Sequence, residues 1–381
     1  MLNRNHDSAT RRRGWLPVLS AVLVLAACSP EDPGPPYSAL VYEYDLETSD
    51  YSLQEVELPT LGTLRGLDGD ITNLIGGVDL AVDAFAVVET EDDLVDAIKV
   101  RGGRPVDVRW FLQGEVVVPE DFGSLLLFTY YRNMERCSAF FHEHGVPGDV
   151  PGKIPTFHLP TFGTILLGGF QIISDNAGFA SALGAFALFP RSMLLDRLPL
   201  AMNPGVVCHE YSHAVFHSLV AGDALAPAGT LVDWPIRAEN LIRSVDEGFA
   251  DLAGALATDN PVFLDPSVPA AISSERDLSI IHEFDDAMDS RLERRLFYDP
   301  YPLGSVFAST LWRVRLEIGT SAAAQSLVEA MELLGEVAGP DLEISTVTDV
   351  LYETMVEEGR GPLCESLEEA LLPLPDDCQD Q

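Results

Sequence analysis

Between Leu40 and Val118, apolar and polar residues alternate in short runs. LVYEYDL (40–46) and YSLQEVELP (51–59) carry the period-two pattern of half-buried strands, and the Gly-containing breaks LDGD and IGG divide the segments. Near Glu120 the period changes. DFGSLLLFTYYRNMERCSAFFHEHG (121–145) sets its apolar residues at helical spacing and stops at Gly145-Val146-Pro147, which predicts one long helix. TILLGGFQIISDNAGFASALGAFALFP (164–190) is apolar, but Gln171 and Ser174-Asp175-Asn176 interrupt it, so buried or edge strands are expected and not a membrane span. Asn203-Pro204 announces a helix over about 204–220, with Asn as its cap and Pro in its first turn. From Pro235 onward the patterns are mainly helical, with loops expected at 259–272 and 298–304. Strands first and helices afterwards make the fold class α+β.

The first thirty residues follow another logic. MLNRNHDSATRRR is basic, and GWLPVLSAVLVLAAC is a short apolar run ending in small residues, as in an export leader. Its end, Leu25-Ala26-Ala27-Cys28, resembles a bacterial lipobox. That resemblance implies a signal peptide over 1–27, a lipid on Cys28, and a place on the cell envelope, at the outer membrane or cell surface. An ordinary signal peptide with a chance cysteine is the alternative, and Arg11-Arg12-Arg13 also permits twin-arginine export. Residues 28–39, which include EDPGPP, read as an acidic, Pro-rich spacer.

Charge narrows the partners. The 381 residues include 60 acidic and 23 basic ones, a net charge of −37. Loss of residues 1–28 removes four Arg and one Asp, which leaves 59 acidic and 19 basic residues. Such a surface repels nucleic acid and anionic membranes and keeps the body solvated. Four cysteines then remain, at 137, 208, 364 and 378. An even number in an exported chain permits two disulfides, and Cys364–Cys378 would close a short loop. Cys208 could instead be a buried small hydrophobe.

CHEYSHAVFHSLVAG (208–222) places His209, His213 and His217 four residues apart on one helix face. Neighbours on that face are about 6 Å apart along the axis, so His209 and His213 can share one ion, whereas His217 lies about 12 Å from His209. His217 is read as a bystander. Glu210 is offset by about 100° and can reach a water at the ion without ligating it, the geometry of a general base in a His-Glu-x-x-His motif. SVDEGFADLAG (244–254) supplies the missing ligand as Glu247, with Asp251 one turn on to fix the tautomer of a histidine, expected to be His209. The small and apolar residues around Glu247 argue for a closely packed helix over a solvated acidic edge.

HEYSH with a downstream Glu-x-x-x-Asp is similar to the gluzincin metallopeptidases, the thermolysin and fungalysin group. TYYRNMERCSAFFHEHGV, SDNAGF and DPYPLGSVFASTLWRVR (299–315) add weaker likenesses, over roughly 120–320 in all. The resemblance implies a two-lobed zincin fold. A β-rich lobe over 40–220 would end in the active-site helix at the interface, and a helical lobe over 221–381 would carry Glu247. It also implies a zinc endopeptidase acting on peptides or proteins, with Asn176 and Ala177 gripping the substrate. Calcium, which these families often use, has one candidate cluster in Glu283, Asp285, Asp286 and Asp289; a solvated acidic face is the simpler account.

Two departures stand out. Where the family places a histidine after Asp-Pro, this chain has Tyr301, whose phenol can still donate to an oxyanion. Tyr298 and His282 are weaker substitutes. These families are usually made with a long inhibitory propeptide, whereas the roughly ninety residues between Cys28 and the helical part read as the β-rich lobe itself. A catalytically inactive zincin-fold surface lipoprotein that binds a partner is therefore the rival expectation.

Overall fold

The computed structural model describes residues 32–45, 48, 50–82, 98–164, 168–171, 176–180, 183–189, 197–220, 234–295 and 298–379. The expected leader and Cys28 lie outside the described residues. The strands are β1 (Tyr37–Asp45), β2 (Asp50–Leu58), β3 (Leu61–Thr63), β4 (Asp68–Gly69), β5 (Thr72–Val82), β6 (Ile98–Pro105) and β7 (Trp110–Gln113). They continue as β8 (Val116–Pro119), β9 (Ile154–His158), β10 (Thr161–Thr164), β11 (Gly168–Gln171), β12 (Asn176–Ala180) and β13 (Ala185–Phe189). One long helix, α1 (Phe122–Glu143), interrupts them. Helices dominate afterwards: α2 (Pro204–Val220), α3 (Ile236–Thr258), α4 (Ala270–Ser273), α5 (Asp286–Arg291) and α6 (Tyr301–Ile318). The series closes with α7 (Thr320–Val337), α8 (Ile344–Thr354), α9 (Glu357–Glu369) and α10 (Asp376–Gln379). The fold is thus mixed α+β, with a β-rich N-terminal part and a helical C-terminal part. Among the described residues no helix is long and apolar enough to cross a membrane.

The alternation in LVYEYDL and YSLQEVELP produces a hairpin in which Tyr42 faces Leu53 and Tyr44 faces Tyr51. With β8 and β7 it forms a four-stranded sheet in the order β2-β1-β8-β7. The larger sheet runs β11-β10-β5-β9-β13-β12, with β6 also on β5, and it ends at β12, which pairs antiparallel with β13. β1 begins at Tyr37, inside the stretch expected to be spacer. Pro302 lies in the first turn of α6, where a missing N–H costs nothing, so the helix starts at Tyr301 and the expected loop at 298–304 is shorter.

Helix α2 starts as the sequence predicts. Asn203 Oδ1 accepts the backbone N–H groups of Gly205 (3.0 Å) and Val206 (3.4 Å). Helix α3 is clamped by two close crossings. A Cβ on Gly248 would stand 2.5 Å from the Gly304 carbonyl oxygen of α6, and one on Gly254 would stand 2.6 Å from the Gly205 carbonyl oxygen of α2. Only hydrogen side chains permit these contacts; Gly248 directly follows Glu247, and Asp251 lies between the two glycines.

Both disulfides permitted by the sequence form, Cys137–Cys208 and Cys364–Cys378. The first ties α1 to α2 one residue before His209, so Cys208 is a cross-link and not a free small hydrophobe. It closes a span of 71 residues, the second a span of 14. Chain entropy then assigns about 4 kcal/mol to Cys137–Cys208 and about 3 kcal/mol to Cys364–Cys378. Denaturant unfolding of Cys137→Ala/Cys208→Ala and Cys364→Ala/Cys378→Ala should show losses in that order. Equal losses would mean that loop length does not set the stabilisation.

Candidate metal centre

Residues 209 and 213 are one turn apart on α2, and both rings turn to the same side with Nε2 atoms 3.1 Å apart. From α3, Glu247 Oε2 lies 3.5 Å from His209 Nε2 and 3.6 Å from His213 Nε2. A tetrahedral ion with bonds of about 2.0–2.1 Å requires donors about 3.3–3.4 Å apart, close to this triangle. Glu247 Oε2 is also buried with no hydrogen-bond partner, a costly state for a carboxylate oxygen unless a cation satisfies it. The residues fit a divalent metal.

His209, Glu210 and His213 also form a group that could hold a metal ion, with donor atoms all within 4.8 Å. Distance alone therefore leaves Glu210 and Glu247 as rivals for the third position. Their hydrogen bonds differ. Glu210 Oε2 accepts the Phe179 N–H of β12 at 2.7 Å, while Glu247 Oε2 accepts nothing.

The outer nitrogens of the two rings have dedicated acceptors. His209 Nδ1 donates to Asp251 Oδ1 at 3.0 Å, as the sequence suggests, and His213 Nδ1 donates to Asp246 Oδ1 at 2.8 Å. Protons at both Nδ1 positions leave both Nε2 lone pairs directed inward. Asp251 is buried, and Arg276 Nε donates to its Oδ2 at 2.9 Å while Nη2 reaches Oδ1. Burial raises the Asp251 pKa, but the Arg276 charge and the bonds from His209 and Arg276 outweigh it and hold the carboxyl at about 2. Burial pushes the Glu210 and Glu247 carboxyls up and the His209 imidazole down. Burial also opposes charge on His213, yet the Asp246, Glu247 and Glu210 carboxylates raise it to about 10. The field that draws a proton there favours any cation.

The remaining expected residues fall as follows. Asn176 and Ala177 open the edge strand β12, and the Asn176 side chain is outside the described residues. Tyr301 is 38% exposed at the start of α6, with its ring 4.4 Å from the Arg276 guanidinium carbon. Burial and then the Glu247 charge raise its phenol pKa, so it stays a donor. His217 sits in the last turn of α2 with its Nδ1 buried and without a hydrogen-bond partner. Tyr298 and His282 are held elsewhere, by Ser244 Oγ (2.6 Å) and the Asp277 carbonyl (3.0 Å). In the acidic cluster that is the calcium candidate, Asp285 caps α5 and Asp289 pairs with Arg237 at 2.6 Å. Among the described residues, no group that could hold a metal ion is found away from His209 and His213.

Sequence reasoning missed three contributors. Asp246 sits beside Glu247 in SVDEGFAD, so its role could have been read from its place on the helix. The Phe179 N–H belongs to SDNAGF, but a backbone donor has no side-chain signature. Arg276 ends a short 3-10 helix (Ser274–Arg276) that carries no motif, and gave no signal. Comparison with known proteins gave no match, either to a protein-family model or to a curated protein.

Proposed function

We propose that this chain is a zinc-dependent peptidase with a two-lobed, thermolysin-like zincin architecture, anchored to the cell envelope by lipid at Cys28. One observation carries the catalytic reading: two histidine Nε2 atoms and an unpartnered buried Glu247 oxygen converge at 3.1–3.6 Å, while Glu210 is held beside them by the edge strand. In this reading His209, His213 and Glu247 hold the ion. When bound, zinc would supply Lewis acidity, polarising a scissile carbonyl and lowering the pKa of water.

The chain's own groups do the rest. The Phe179 N–H fixes Glu210 through Oε2, which leaves Oε1 to take a proton from the attacking water and return it to the leaving amine nitrogen. Burial strengthens Glu210 as a base. β12 ends its sheet, so an extended peptide could add along its outer edge beside Ala177 and Asn176. Arg276 locks Asp251, and through it the His209 ring, while Tyr301 on the face of Arg276 offers a phenol donor to developing negative charge.

The rival, a metal-holding but inactive surface lipoprotein, draws on Tyr301 standing where the gluzincin families use histidine. An unbiased peptide library separates the two readings. The peptidase reading requires cleavage that chelation abolishes and zinc restores. A folded, zinc-loaded protein that cleaves nothing would favour the rival.

A further inference from the structure

The chain enters the fold through a pinned segment and not a free spacer. Asp32 Oδ1 accepts the Gly34 N–H (2.9 Å) and the Tyr37 hydroxyl (2.7 Å), and its Oδ2 lies 3.4 Å from both Thr63 Oγ1 and the Leu64 N–H nitrogen. Four residue steps separate Cys28 from Asp32 and span at most about 14 Å. A lipid on Cys28 therefore holds this corner of the body close to the bilayer.

That corner carries exposed bases in a chain dominated by acids. Arg65 follows Leu64 and is exposed, and Gly66 packs so closely on Pro105 that a Cβ there would stand 2.8 Å from the Pro105 Cβ. Pro105 ends β6, which carries Lys99, Arg101 and Arg104 and no acidic residue, in a chain with 60 acidic and 23 basic residues. These three are exposed, as is Val100 at 49%. Among the described residues Arg65, Arg101 and Arg104 have no ion pair. Of the nearby acids among the described residues, Asp68 pairs with Lys153 and Asp79, opposite Arg101, accepts from Thr161 at 2.9 Å, while Asp70 and Asp107 are exposed; six further acids lie in residues 83–97, outside the described residues. Charges also protect an edge strand from pairing, so the pattern needs a test that reads lipid contact directly.

We propose that Arg65 and β6 form a bilayer-facing surface whose bases contact the phosphates of anionic lipids. This rests on the lipid-anchor reading. It has a consequence for the candidate metal centre. β12 lies four strand spacings from β6 across β5, β9 and β13, about 19 Å, so the open edge beside Glu210 stands away from the lipid.

The test uses the full lipidated protein in vesicles of phosphatidylethanolamine with phosphatidylglycerol. A nitroxide at Val100→Cys reports access to a water-soluble nickel chelate, and a label at Glu336→Cys serves as the control. The surface predicts that Val100 is shielded, that Glu336 is not, and that phosphatidylcholine vesicles or high salt remove the shielding. Lys99→Gln/Arg101→Gln/Arg104→Gln should weaken apposition by about fivefold for each base removed. Equal access at Val100 with and without vesicles, in protein whose mass shows the lipid on Cys28, overturns the surface and leaves the anchor standing. A mass without lipid on Cys28 overturns the anchor, and the surface with it.

Discussion

Glu210→Gln should keep the metal and lose the chemistry, with peptide cleavage falling by about 10²–10⁴-fold. The amide is nearly isosteric and can still accept the Phe179 N–H through its oxygen, so the positions of α2 and β12 are preserved. What disappears is the proton acceptor. The ion should remain because neither histidine Nε2 nor Glu247 is touched. Kinetics with metal analysis on the same sample checks both halves. Loss of metal together with activity would make Glu210 a ligand, the role its membership of the 209/210/213 group allows.

Glu247→Ala should do the reverse and remove the metal. Loss of a group that only supports a ligand costs about 10–100-fold in metal affinity, so Asp246→Ala and Asp251→Ala are expected in that range and Glu247→Ala beyond it. Stability sharpens the contrast. Glu247 Oε2 is buried without a partner, and such a group costs about 1–3 kcal/mol. Metal-free Glu247→Ala should therefore be at least as stable as the metal-free wild type, while only the wild type gains from added zinc. Calorimetric melting with and without zinc measures this. A metal-free variant that melts well below the metal-free wild type would mean that Glu247 is a structural carboxylate.

Strands and helices were legible where a segment's period matched its burial, but IGG, expected as a break, lies inside β5, and LDGD contains β4. The alternation in LVYEYDL survives as a hairpin, and the spacing in 121–145 as α1. The start of α2 was legible because Asn203 and Pro204 act within one turn of the chain. The start of α6 was missed by a few residues because two prolines near Tyr301 read as a loop, although proline fits a first helical turn. Within the site, the His209/His213 pair was local and so visible. Glu247 was reachable because Gly248 and Gly254 marked α3 as closely packed. Arg276 was not, since its role exists only once α4 and the 3-10 turn after it bring a guanidinium onto Asp251. Nor could sequence show that the Asp32 segment folds back onto Thr63 and Leu64, because that depends on a contact thirty residues away.

The central claim is that His209, His213 and Glu247 hold one zinc while Glu210 stands free to act as a base. Anomalous diffraction from crystals of the purified protein, recorded on both sides of the zinc absorption edge, tests it most directly. The account predicts a single peak about 2.0–2.2 Å from His209 Nε2, His213 Nε2 and a Glu247 oxygen, with Glu210 still on the Phe179 N–H. No peak in zinc-supplied crystals, or a peak bonded to Glu210 in place of Glu247, would contradict it.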